Sequence, residues 1–156
     1  MPLESPARIL ALDLGKRRIG LALSDPLGLT ASGLETLVRT TLREDLARLS
    51  QLAAEREVAR FLVGLPKNMN GTEGPAAARA RAFAEKLAHT TGLPVDLWDE
   101  RLTSVEAEEL FKERGVRADR RRGDVDRVAA SILLQEYLDH QRPPGEGTNV
   151  WPEDAA

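Results

Sequence analysis

Ile9–Leu23 reads ILALDLGKRRIGLAL. Two apolar runs, residues 8–14 and 18–24, stand on either side of Gly15-Lys16-Arg17. That spacing predicts two strands joined by a tight hairpin, with glycine relieving the turn. The first run is apolar on both faces, which places it at the centre of a sheet covered on both sides. Asp13 breaks that run. A carboxylate there has lost much of its water and needs a counterion, hydrogen-bond donors or a metal ion.

Working outward, residues 29–39, LTASGLETLVR, are a weaker third strand. From Leu42 to Glu57, the residues Leu42, Leu46, Leu49, Leu52 and Ala53 share one helical stripe. Residues 58–65, VARFLVGL, read as a buried strand, and 66–74, PKNMNGTEG, as a loop of turn formers. Gly74 and Pro75 open the next helix, which buries Ala76, Ala80, Phe83, Ala84 and Leu87 and stops at Gly92. Residues 94–98, PVDLW, are another strand, followed by Asp99-Glu100-Arg101. Thr103-x-x-Glu106 is a capping box for a helix to about residue 114. Residues 115–124 form a basic loop, 125–140 a last helix, and 141–156 a flexible tail. The expected architecture is one α/β domain over residues 1–140: a mixed five-stranded sheet, its first three strands antiparallel, with helices on both faces.

Composition narrows the chemistry. At 156 residues the chain suffices for a single core. It has no cysteine, which excludes disulfides and thiolate metal sites. No stretch has the apolar length of a membrane span, and no basic region precedes a long apolar core, so a cytoplasmic location without membrane contact is expected. The net charge of −3 argues mildly against nucleic acid, but residues 112–122, KERGVRADRRR, gather six basic side chains against two acidic ones.

Strands joined by crossover helices run parallel, so Asp13 and Glu100 belong at one sheet edge, where open α/β sheets place their sites. On the last helix, Asp126 shares a face with Ala129, Ala130, Leu133, Leu134 and Tyr137, the face that must pack on the sheet. Three acids at one edge repel one another unless cations sit among them, and oxygen-only ligands suit Mg²⁺ or Mn²⁺. Two such ions support phosphodiester hydrolysis. Simpler readings exist: Asp13 pairs with Lys16, Arg17 or Arg18, Glu100 bridges to Arg101, and Asp126 complements a helix N-terminus. Asp124 either caps the last helix or assists a bound metal, and Asp99 takes the place of Glu100 if the strand ends a residue earlier. For substrate, the loop offers Lys67, Asn68, Asn70 and Thr72. Arg101 and Thr103 lie beside Glu100, and Arg120, Arg121 and Arg122 supply sequence-independent phosphate contacts. Aromatic residues are only 4% of the chain, so stacking platforms for single-stranded bases are sparse.

The segments LDLGKRRIGLALSD (12–25), VGLPKNMNGTEG (63–74), WDERLTSVEAE (98–108) and DVDRVAASILLQEYL (124–138) resemble the YqgF family, also called RuvX or the pre-16S rRNA nuclease family. The resemblance spans residues 8–140. It implies an RNase H-like, RuvC-like fold, a catalytic and metal-binding set of Asp13, Glu100 and Asp126, two Mg²⁺ or Mn²⁺ ions as cofactors, and maturation of the 5′ end of 16S rRNA. Holliday-junction resolution is the family's other proposed role. A junction resolvase makes two symmetric cuts and needs a dimer. No heptad pattern marks one here, so a monomer or weak homodimer acting on pre-rRNA is expected, with branched DNA as the alternative substrate. A catalytically silent nucleic-acid-binding module is the rival of a different class. The DLGxxxxG hairpin also resembles that of actin-like ATPases, which pair two such domains where this chain has room for one.

Overall fold

The computed structural model describes residues 8–99 and 121–141, with side chains in the final helix from residue 128 onward. Its elements are β1 (Arg8–Leu14), β2 (Arg18–Ser24), β3 (Ala31–Gly33), β4 (Leu37–Val38), α1 (Leu42–Glu55), β5 (Val58–Leu65), α2 (Pro75–Thr91), β6 (Val95–Asp99) and α3 (Arg121–Gln141). The sheet order is β3-β2-β1-β5-β6, with β4 also on β2. Strands β1 and β2 are antiparallel, β3 and β4 pair antiparallel to β2, and β1, β5 and β6 run parallel. The described residues thus form six strands rather than five, because the expected third strand divides into two short pieces along β2.

The turn after β1 is as tight as its sequence implies. The Gly15 amide donates to the Arg18 carbonyl at 2.8 Å. A Cβ on Gly15 would stand 2.7 Å from that same oxygen, a contact real side chains do not make. Gly74 and Pro75 open α2, and Gly92, at φ 76°, closes it.

Alternation along the strands sorts the core into two layers. Leu10, Leu12, Ile19, Leu21, Phe61 and Val63 face α1 and α2. Ile9, Ala11, Ala22 and Leu62 face α3, which buries Ala130, Leu133, Leu134, Tyr137 and Leu138. Two details of the helix stripes differ from expectation. On α2 the buried residue of the first turn is Ala77, not Ala76. Leu42, at the start of α1, is 40% exposed, and its stripe instead includes Asp45, only 1% exposed.

Asp45 is tolerated because its neighbours supply donors. The Arg39 Nε lies 3.3 Å from its Oδ2, and the Thr40 amide donates to its Oδ1 at 3.1 Å. Arg39 also donates to the Gly15 carbonyl at 2.8 Å and sits 5.5 Å over the Phe83 ring. One guanidinium thereby joins the β1–β2 turn, α1 and α2.

The α3 layer is held by polar ties. The Gln135 Oε1 accepts from the Ala31 amide, and its Nε2 donates to the Leu29 carbonyl, both at 3.0 Å. Ser24, buried at the end of β2, accepts from the Ile9 amide at 2.8 Å. Just beyond it, burial raises the Asp25 carboxyl slightly, but the amides of Thr30, Leu29 and Leu27 donate to it and hold it below the usual range.

Candidate active site

Asp13 is the penultimate residue of β1 and shares its strand parity with Ile9 and Ala11, both packed in the α3 layer. It is half-buried. Across β2 its partner is Gly20. On the other side Leu12 pairs with Val63, so Gly64 flanks Asp13 on β5, and Gly64 in turn pairs with Trp98. The row across the sheet is therefore glycine, aspartate, glycine, tryptophan. Side chains directly opposite in a sheet stand about 5 Å apart. A residue larger than glycine at either flank would occupy the space beside the carboxylate, and glycine within a strand marks a place where another group approaches closely. This pairing of Gly20 and Gly64 was missed by reading the sequence. Its signal, two strand-interior glycines, becomes meaningful only once the register is known.

Beyond the glycines, Trp98 meets Tyr137 edge-on at 5.4 Å and His140 at 5.2 Å, contacts typical of aromatic packing. His140 makes this ring contact from an exposed position at the end of α3. The Tyr137 hydroxyl donates to Asp96, which also accepts from Arg60 at 2.9 Å. Burial, followed by the bond to Asp96, pushes the Tyr137 phenol up to about 12.

The remaining site residues fall into three groups. Asp99 ends β6 in phase with Val95 and Leu97, which pack toward α1 and α2, so strand alternation assigns it to the face opposite Asp13. Glu100, Arg101, Thr103 and Arg120 lie outside the described residues. Arg121, Arg122, Asp124 and Asp126 belong to α3. That corrects the basic loop expected through residue 124: the helix starts at Arg121, which puts Asp126 in its second turn rather than its first. Among the described residues, no three carboxylate or imidazole side chains gather around one point.

The loop 66–74 lies where β5 leaves the same sheet edge. It closes on itself. The Asn68 amide donates to the Thr72 carbonyl, and the Gly71 amide to the Asn68 carbonyl, both at 2.8 Å. The Asn68 side chain donates to the Thr72 hydroxyl at 2.9 Å, and that hydroxyl donates to Asn70 at 2.7 Å. Lys67 pairs across the loop with Glu73, whose carboxylate takes two bonds from Arg81 at 2.8 and 2.7 Å. The polar side chains expected to meet substrate therefore first brace the loop.

A family model described as RuvX, Holliday junction resolvase, matches residues 7–140. A protein of Symbiobacterium thermophilum, provisionally named as a pre-16S rRNA nuclease, is 52% identical over 139 residues, covering 88% of this chain and 96% of its own. A similarly named protein of Myxococcus xanthus is 49% identical over 147 residues, covering 94% and 96%. Among solved structures, T. thermophilus RuvC in complex with Holliday junction substrate superposes with a TM-score of 0.54 at 15% identity, covering 86% of this chain and 96% of that one. The large terminase nuclease of the thermophilic phage G20c superposes at 0.52 and 17% identity, covering 83% and 81%. These two likenesses establish the RNase H-like, RuvC-like fold.

Proposed function

The chain belongs to the RuvX family, and from that premise we propose that it is a divalent-metal-dependent nuclease that processes the 5′ end of pre-16S rRNA. The observation that carries the chemistry is the placement of Asp13: a half-buried carboxylate on a central strand, at the C-terminal sheet edge, with glycine on both flanks. The relatives' names supply the RNA.

Asp13, Glu100 and Asp126 are the residues that would hold Mg²⁺ or Mn²⁺. The fit rests on the donor type and on the lack of side chains at the two positions flanking Asp13. Carboxylate oxygen is the ligand such hard ions prefer, and the chain has no cysteine to favour a softer metal. When bound, a pair of these ions supplies an activated water and charge stabilisation for the leaving oxygen. The protein's part is positional. Strand β1 fixes the Asp13 carboxylate more rigidly than a loop would. Glycine at positions 20 and 64 puts no side chain on either flank of the Asp13 carboxylate. Lys67, on a loop shaped by Asn68, and the basic side chains of Arg101, Arg120, Arg121 and Arg122 neutralise phosphates, with Thr103 positioning the strand near Glu100. Such contacts bind without reading sequence.

The protein acts in the cytoplasm, as a monomer or weak homodimer, on one domain of residues 1–140. Among the described residues, no helix is long and apolar enough to cross a membrane. The test is side-by-side cleavage of a pre-16S rRNA fragment and a mobile four-way DNA junction, with Mg²⁺ or Mn²⁺, by the wild type and Asp13→Asn. Cutting of the RNA by the wild type alone supports the reading. Paired symmetric cuts in the junction, with the RNA left intact, transfer it to the resolvase activity named in the family description. Equal binding by both proteins with no cutting makes the chain a binding module.

A further inference from the structure

On the face of the sheet away from Asp13, the α1 and α2 layer stops short of the C-terminal edge and leaves a cavity of about 320 Å³. This is within the usual size of small-molecule sites, roughly 300–1,000 Å³. Its floor is apolar, built from Leu14, Ala80 and Phe83, with Pro66 at the loop side. Its rim is cationic: Lys16, Arg79 and Lys86 surround it, and Arg39 lies over the Phe83 ring within it. No carboxylate lines it among the described residues.

Most of the described lysines and arginines form no ion pair, and what sets three of them apart is that they line one concavity. Arg39, Arg60 and Arg81 each hold a carboxylate. Lys16, Arg79 and Lys86 hold none among the described residues, yet they converge on one concavity. Like charges gathered around an apolar basin oppose folding and do not help packing. They complement an anion that also carries an apolar, flat body. A guanidinium above an aromatic ring offers a planar surface to such a body as well.

We propose that this basin binds a nucleoside phosphate, with the phosphate between Lys16, Arg79 and Lys86 and the base against the floor of Leu14, Ala80 and Phe83. Two sources share that chemistry: a free mononucleotide, and one nucleotide of a polynucleotide strand. Leu14 and Gly15 follow Asp13 directly in the chain. A strand passing over the sheet edge from the Asp13 face would reach the basin within a few residues of backbone. The site is distinct from the proposed carboxylate site and does not depend on it.

The test follows backbone amide shifts of the full chain by NMR, without divalent metal, during titration with adenosine 5′-monophosphate, adenosine, inorganic phosphate and a short oligoadenylate. Saturable shifts at Leu14, Ala80 and Phe83 with the monophosphate, at least about tenfold weaker with adenosine or phosphate alone, support the proposal and assign the free nucleotide. Shifts at those amides with the oligomer alone support it and assign a strand nucleotide. Equal response to inorganic phosphate, or shifts confined to other residues, overturns it. The pair Arg79→Gln with Lys86→Gln weakens binding about tenfold or more, and Lys16→Gln alone gives a smaller loss if the pair disturbs the fold. Unchanged affinity in both variants overturns the assignment. Asp13→Asn binds the monophosphate as the wild type does, so failure of the nuclease reading and failure of this one are told apart.

Discussion

The two faces of the sheet are built on different plans. Toward α1 and α2, large aliphatic side chains and Phe61 interlock, and Asp45, the one deeply buried charge among the described residues, is secured by Arg39. Toward α3, the strands present Ile9, Ala11, Ala22 and Leu62, with Gly20 and Gly64, to Leu133, Leu134 and Leu138 of the helix, and polar links add to this smaller core: Gln135 to the β3 margin, and Tyr137 to Asp96. The thick layer supplies hydrophobic stability. The thin layer carries no side chain at the two positions that flank Asp13, where the proposed site lies. The α1 and α2 face and the face of the proposed site are thus the two sides of one sheet, one residue apart along β1, with Leu12 on the first and Asp13 on the second.

The sharpest break of that division is on the thin side. Asp13→Asn lowers cleavage by about 10²–10³-fold, the scale for loss of one preorganised electrostatic contributor, while urea denaturation shows no loss of stability. A parallel drop in stability and activity would merge the two faces again. On the thick side, Arg39→Ala leaves Asp45 without its ion partner. Stability falls by about 2–3 kcal/mol in a urea titration, moderated because Arg39 is partly solvated. Gln135→Ala removes two hydrogen bonds from the thin layer and costs about 1–2 kcal/mol, with faster amide exchange at Ala31 as the local sign. The smallest effect is a titration. Tyr137 is the sole tyrosine, so absorbance near 295 nm reports it alone. Its midpoint lies near 12 rather than 10, and Asp96→Asn lowers it. Because the folded state raises this acid's pKa, its stabilising contribution is complete below pH 10 and is lost as pH rises toward 12.

Local signals carried much of the architecture. The hairpin around Gly15, the Pro75 and Gly92 boundaries of α2, and the buried strand 58–65 each follow from residues whose backbone preferences act within a few positions. The split of the third strand was not legible, since it depends on pairing with β2. The start of α3 was hidden because arginines at 121 and 122 suit a solvated loop and a helix equally well. For the site, Asp13 announced itself as a charge in an apolar strand. The glycines beside it did not, because neighbours across a sheet are set by register, and register is a tertiary property. The same holds for Asp99: its phase opposite to Asp13 follows from strand alternation once β6 is seen to extend to it.

Gln135 has a consequence for the helix that carries Asp126. Its amide grips one carbonyl and one N–H of the neighbouring segment, in the manner of a rung in a ladder. Turning α3 by one residue swings that amide through about 100° and severs both grips together. The angular setting of the helix is therefore stepwise, not continuous. The helix, Arg121–Gln141, thus takes its rotational setting from the far margin of the sheet.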